Sequence, residues 1–196
     1  MKPFAESCEQ NKAAIYKVIN GYLDSKKTLL EIGSGTGQHA VYFAKQSPHL
    51  TWFTSDQAEY HRGIKMWLEE ASLNNTPDPL LLNVDQDDWP VKNMDAVFSA
   101  NTVHIMSWVS VENMFAGIGR ILNLSGVFCL YGPFNYNGKF TSESNARFDV
   151  WLKQRDPMSG VRDFEALKVL AEQANMKLIN DVEMPANNRI LVWQKF

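Results

Sequence analysis

The stretch Glu31-Ile32-Gly33-Ser34-Gly35-Thr36-Gly37-Gln38 decides how the rest of the chain is read. The apolar run Thr28 to Ile32 before it has the length of a buried strand. The run Gln38 to Gln46 after it places Ala40, Val41, Phe43 and Ala44 on one side of a helix. Three glycines therefore fall in a strand-to-helix turn. Glycine reaches positive φ without steric cost and lets a backbone come close to a ligand. The first N–H groups of the following helix point at whatever occupies that space. A glycine-rich turn with no ligand is the plain alternative. Three glycines in five residues, with Glu31 two places before the first, weigh against it.

Working outward, Asn11 to Tyr22 carries Ile15, Val18, Ile19 and Tyr22 at helical spacing. Strands are expected at Leu50 to Thr54, Pro79 to Val84, Met94 to Ala100 and, after a Ser125-Gly126 turn, Val127 to Tyr131. Helices are expected at Glu59 to Asn74, Val111 to Leu122, Ser144 to Gln154 and Asp163 to Asn175. Two strands, Lys177 to Glu183 and Arg189 to Phe196, close the chain. Alternating strands and helices call for a parallel sheet covered on both faces. The link Met184 to Asn188 is too short for a parallel crossover, so the last pair is an antiparallel hairpin. The expectation is one Rossmann-like α/β domain over 1–196, with seven strands, mostly parallel. Residues 1–24 form an N-terminal helical segment that acts either as a lid or simply as a packing helix.

The glycine spacing separates two ligands. A dinucleotide loop reads G-x-G-x-x-G, which would put the third glycine at position 38, and that residue is Gln38. The pattern here, an acid and then G-x-G-x-G, resembles the first motif of class I S-adenosylmethionine-dependent methyltransferases. Ligands of such sheets bind outside the carboxyl ends of the strands. Asp56, with Gln57 beside it, closes the second strand 23 residues after Gly33. That is close to the roughly 20 expected for a ribose-binding acid. A turn or cap aspartate is the alternative. Asp85 and Gln86 close the third strand, and Asn101 closes the fourth, where it can hold ligand or acceptor. Trp89 is either an adenine platform or an edge-of-core residue.

Further blocks extend the resemblance. Trp52 with Ser55-Asp56, Trp89-Pro90, Asn101 with His104-Ile105, Tyr131-Gly132-Pro133-Phe134, Ser144-Asn145, Phe148-Asp149, Gly160 with Arg162-Asp163, and Met184-Pro185-Ala186-Asn187-Asn188 occur in this order. Together they resemble an uncharacterised methyltransferase-like family, domain of unknown function 938, over nearly the whole chain. The resemblance implies the class I methyltransferase fold and S-adenosylmethionine as cofactor, and no particular substrate. It implies that Glu31 lies near the ligand's amino group, that Gly33, Ser34, Gly35 and Gly37 approach its methionine part and ribose, and that Asp85 meets the adenine amino group. It raises Asn187-Asn188, otherwise plain turn residues, to pocket residues; with Asn11, Tyr131, Phe134 and Asn145, Asn188 makes the candidate acceptor pocket. Where the family usually has Arg-Asn, this chain has Gln10-Asn11.

Methyl transfer asks a protein mainly to position and desolvate its reactants. A base is needed when the acceptor atom carries a tightly held proton. His104, three residues past Asn101, is the candidate, since histidine titrates near neutrality; a histidine satisfied by a backbone carbonyl is the even alternative. His39 reads as a packing or capping residue, and His49 and His61 as surface residues. Tyr131, Phe134, Tyr136 and Phe140 are expected to enclose an acceptor; a partly buried surface loop is the alternative. Asn101-Thr102-Val103-His104 lacks the prolines and aromatic platform of amino-group methylases acting on nucleic-acid bases. The net charge of −3, without a basic cluster, argues against direct nucleic-acid binding. Two cysteines, not in a Cys-x-x-Cys pair, support neither a disulfide framework nor a zinc site, and no metal is expected. No secretory or membrane-spanning stretch is seen, so a cytoplasmic enzyme with a small-molecule acceptor is expected. A non-catalytic S-adenosylmethionine-binding or partner-binding module is the alternative, and a dinucleotide oxidoreductase a weaker third. Oligomeric state is not legible.

Overall fold

The computed structural model describes residues 1–196. Strands β1 (Thr28–Ile32), β2 (Thr51–Asp56), β3 (Leu80–Leu81), β4 (Met94–Ala100) and β5 (Leu122–Gly132) pair in parallel. Two very short strands, β6 (Phe134–Asn135) and β7 (Arg162–Asp163), pair apart from the main sheet. Strands β8 (Met176–Met184) and β9 (Asn188–Lys195) complete the main sheet, whose order is β3-β2-β1-β4-β5-β9-β8. Only β9 runs against its neighbours, so the C-terminal hairpin inserts its second arm next to β5. Six helices pack around the sheet: α1 (Glu6–Leu23), α2 (Gln38–Gln46), α3 (Ala58–Ala71), α4 (Trp108–Ile121), α5 (Glu143–Arg155) and α6 (Phe164–Gln173). None is long and apolar enough to cross a membrane.

Period-two alternation divides the buried side chains into two cores, one on each face. Leu29, Ala96, Phe98, Val127, Cys129, Ile190 and Val192 face α1 and α2. Leu30, Val97, Phe128, Leu130, Leu191 and Trp193, from the intervening positions, face α4 and α6. Glu31 therefore shares the α1/α2 face with Trp52, and Tyr131 lies on that face too.

The element boundaries differ from expectation in three informative places. α1 begins at Glu6, before its apolar stripe starts. The third strand shrinks to two residues at the sheet edge; beyond it the Asn83 side chain accepts from the N–H of Asp85 and turns the chain. The residues at Ser125-Gly126 form an irregularity inside β5 instead of a turn before it. Ser125 has φ 62°, and the β4 register jumps from Leu122 to Val127.

Candidate functional site

The sheet order reverses between β1 and β4, and the loops leaving these strands flank that switch point. Ser99 Oγ donates to the carbonyl of Ile32 at 2.8 Å and bonds the Thr102 hydroxyl at 2.5 Å. Thr102 in turn presses on Gly33, where a Cβ would lie 2.3 Å from its Cγ2. The glycine loop and the Asn101–His104 loop are thus one packed unit.

Gly33, Gly35 and Gly37 all have positive φ (73°, 56° and 88°). The reasons for them differ. Gly33 and Gly37 are required by packing, against Thr102 and against the Ile64 backbone. A Cβ on Gly35 would meet no protein atom within 4 Å. The N–H groups of Gly33, Ser34, Gly35 and Gly37 are not free for a ligand, contrary to the simple expectation. Gly33 and Ser34 N–H both donate to the Ser55 carbonyl at 3.0 Å, Gly37 N–H to the Ser34 carbonyl, and Gly35 N–H to Asp56 Oδ2 at 2.8 Å. The turn offers room at Gly35 more than it offers hydrogen bonds.

Two carboxylates border that room. Asp56 also accepts from the Gln57 N–H at 2.8 Å, and burial raises its pKa. The Gln57 side chain is exposed. Glu31 is 2% exposed; its Oε2 accepts from Trp52 Nε1 at 3.0 Å and Ser34 Oγ at 3.1 Å, while Oε1 accepts nothing from the protein. Burial pushes the Glu31 carboxyl up to about 7, against the two hydrogen bonds that lower it; nearby Asp56 raises it further. No lysine or arginine pairs with it. A buried carboxylate without a cation is an incomplete arrangement in the chain alone.

Beside the loop lies a cleft of about 1090 Å³ between α1, α5, the end of β5 and the β8–β9 turn. Asn11, Asn101, His104, Tyr131, Asn145 and Asn188 all line it. Asn101 sits in the left-handed region (φ 57°), its N–H donating to the Tyr131 carbonyl at 2.9 Å. Asn145 is fixed by Thr141 and the Asn187 carbonyl, each at 3.0 Å. Asn11 bonds His39 Nε2 at 2.7 Å. His104 is 4% exposed, and its Nδ1 is buried with no partner. Burial, and then Arg162, lower its pKa to about 4, so the ring is neutral at physiological pH. Arg162 fixes the loop by donating to the carbonyls of Val103, Met106 and Met158.

Several expectations are corrected. Phe134 is fully buried in the α4/α6 core and does not line the cleft; it follows Tyr131 by three positions and falls on the other face. Tyr136 stacks on Phe164 and donates to Asp181, and Phe140 is exposed. The expected aromatic enclosure therefore does not form from that loop. Phe148 and Trp151 of α5 supply the aromatic wall instead. Their three-residue spacing on an expected helix was the available signal. Trp89 is a core residue packed on Gly117. His61, half-buried, bonds the Asp56 carbonyl at 3.0 Å and is not a free surface group. Asp85 and Gln86 are exposed, and the Asp85 carboxylate accepts from Ser110 and Asn113 of α4, both at 3.0 Å. His39 is a packing residue, stacked on Phe43. No three His, Cys, Asp or Glu side chains stand together as a metal site.

The sequence over residues 2–195 matches the model of a family described as "Protein of unknown function (DUF938)". The chain belongs to that family. This family member also superposes on solved methyltransferases. An O-methyltransferase family protein from Burkholderia thailandensis matches with a TM-score of 0.86 at 10% identity, covering 96% of this chain and 56% of that one. Mitomycin 7-O-methyltransferase MmcR matches at 0.82 and 12% identity, covering 97% and 54%. The S-adenosylmethionine-dependent methyltransferase SibL matches at 0.81 and 14%, covering 96% and 55%. The family member spans about half the length of these proteins. At such identities the likeness establishes the fold, the Rossmann-like methyltransferase fold.

Proposed function

We propose that this protein is an S-adenosylmethionine-dependent methyltransferase acting on a small-molecule acceptor. The observation that carries the reading is the room left at Gly35, where a side chain would meet nothing, beside a buried carboxylate that has no cation. The amino group of S-adenosylmethionine suits Glu31, whose Oε1 is still available. A ribose diol suits the Asp56 oxygens, each of which keeps acceptor capacity beyond its one backbone bond. Gly33, Ser34 and Gly37 shape the cradle, and Asn101 stands between cradle and cleft. Asp85, Gln86 and Gln57 border the adenine end, where Asp85 would share its carboxylate between α4 and the base. The Gln38 side chain is clamped under α1 where a dinucleotide loop needs its third glycine, which disfavours NAD.

When bound, the cofactor supplies an electrophilic methyl group on sulfur. The chain's own contribution is to hold an acceptor in the adjoining cleft, exclude water, and offer the neutral His104 ring to take a proton. The structural neighbours are named for oxygen methylation, which favours an oxygen acceptor here. A cytoplasmic enzyme without nucleic-acid or membrane partners is part of this proposal.

Calorimetric titration tests it. S-Adenosylmethionine and S-adenosylhomocysteine are expected to bind with micromolar affinity, and NAD not at all. Asp56→Asn keeps an acceptor for Gly35 N–H but removes the charge. It should weaken binding by roughly tenfold or more, about the loss of one charge-assisted hydrogen bond. Absence of binding in the wild type, or binding of NAD alone, sinks the reading. Binding with no turnover on any acceptor would favour a non-catalytic module.

A further inference from the structure

The cleft has a chemical character of its own. Arg155 and Asp156, of opposite sign, are the only charged side chains in its lining, and both are exposed. The deeper lining is neutral: amides, hydroxyls, and the imidazole of His104. Nothing inside compensates the desolvation of a carboxylate, a phosphate or an ammonium group.

One wall is aromatic from floor to mouth. The Phe148 ring meets His104 edge-on at 5.2 Å between centroids, and stacks on Trp151 at 5.7 Å with 17° between planes. Arg155 lies over the Trp151 ring at 4.6 Å and holds it in place. Trp151 is 47% exposed and Ile105 57%, so apolar surface stands uncovered at the cleft. At the floor stands His104: its Nδ1 is enclosed by protein without a partner, on the side where a Cβ on Gly132 would lie 3.8 Å away, so Nε2 is the ring nitrogen left to face the cleft.

We infer that the cleft takes an uncharged aromatic ring bearing a hydroxyl group, the ring lying along Phe148 and Trp151 and the hydroxyl meeting Nε2 of His104. The binding site stands on the cleft alone; the transfer step rests on the methyltransferase reading. In that step the hydroxyl oxygen bonds the methyl carbon as the carbon–sulfur bond breaks, its electron pair staying on sulfur. The hydroxyl proton passes to Nε2, then to water. The products are an aryl methyl ether, S-adenosylhomocysteine and a proton. With its proton on Nδ1, the neutral ring presents Nε2 as an acceptor. A phenol-like hydroxyl, with a pKa near 10, is within reach of so weak a base during transfer, and an aliphatic alcohol is not.

The test uses three probes with the protein saturated in S-adenosylhomocysteine: 2-naphthol, 6-hydroxy-2-naphthoate and cyclohexanol. Ligand-observed NMR on that complex gives affinity; methyl transfer from labelled S-adenosylmethionine, assayed without added S-adenosylhomocysteine, gives turnover. 2-Naphthol should bind at least about tenfold tighter than the other two. Trp151→Ala should weaken it roughly tenfold. His104→Asn should bind it nearly as the wild type does, yet lose methyl transfer by roughly a hundredfold or more. No binding of 2-naphthol, equal binding of the naphthoate, or indifference to Trp151→Ala overturns the inference. If 2-naphthol binds as stated but no methyl moves even in the wild type, the site stands and the methyltransferase reading fails. If only charged or non-aromatic compounds are methylated, the reading stands and this inference fails.

Discussion

Gly33 and Gly35 look interchangeable in the sequence, and the structure gives them opposite reasons to exist. Gly33→Ala would place a methyl 2.3 Å from Thr102 Cγ2 at φ 73°. That combines left-handed strain with displacement of a buried, β-branched neighbour, a cost of about 3 kcal/mol. Gly35→Ala meets no neighbour and should cost only about 1 kcal/mol of backbone strain. Its methyl would fill the space assigned to the cofactor, so affinity for S-adenosylmethionine should fall more than stability does. Urea unfolding and calorimetry on both variants check the split; equal stability losses would remove the distinction. The residue types and spacing that pointed to the loop and to Asn101 and His104 were legible because each sits where a strand ends. The side taken by Phe134 is not legible, because it sits on a two-residue strand set apart from the main sheet, where alternation along β5 no longer fixes which face a side chain takes. Which oxygens and N–H groups of the loop remain free was not legible either, since Ser55 and Asp56 satisfy them from another strand.

At the scale of elements, α1 shows what local pattern conceals. Ile15 and Ile19, legible from spacing, are buried in the α1/α2 core with Leu23, which lies one residue past the expected helix end, while Val18 and Tyr22 are only partly buried. The start of α1 is not legible, because Ala5 has no side chain to cap the helix. The cap comes from α2: Gln38 Oε1 accepts from the Ala5 N–H at 2.6 Å and from the Thr36 hydroxyl at 3.0 Å, and its Nε2 donates to Glu9 at 2.9 Å. Pro3 rests on Gly63, its carbonyl accepts from Trp67 Nε1 at 2.7 Å, and Lys2 pairs with Glu70. The helix thus closes over the glycine loop at one end and lines the cleft through Asn11 further along. Gln38→Ala should leave the Ala5 N–H unpaired, at a cost of about 1–3 kcal/mol. Hydrogen exchange should speed up over residues 5–10 while the Ile15–Leu23 half stays protected, and cofactor affinity should drop. Unchanged exchange over 5–10 would show that Gln38 does not hold the helix end. The shortness of β3 has a similar origin: its ladder is set by β2 and ends where the Asn83 side chain turns the chain.

For the molecule as a whole, three buried titratable groups set opposing dependences on pH. His39 and His104 both fall from 6.5 to about 4 in the folded protein, chiefly through burial. Between these values the unfolded chain binds protons that the native state refuses, so their stabilising effect is full above pH 6.5 and fades as pH falls toward 4. Glu31 rises from 4.5 to about 7. There the native state holds a proton that the unfolded chain has released, so the advantage is full below pH 4.5 and is lost as pH rises through 7. None of this follows from composition, because it depends on which face of β1 and which side of the cleft each residue occupies. Taken together, the three groups put their combined stability maximum near pH 7. The Glu31 contribution is isolated by Glu31→Gln, which keeps acceptor oxygen for Trp52 and Ser34 and cannot ionise. Relative to that variant, wild-type stability should decline by about 3 kcal/mol from pH 4.5 to 7, at about 1.4 kcal/mol per unit. Urea unfolding at half-unit steps measures it. Saturating S-adenosylmethionine should flatten the wild-type decline, because a bound ammonium beside Glu31 favours its charged form. Parallel profiles for wild type and variant would mean that Glu31 is ionised throughout and that its burial does not govern its proton.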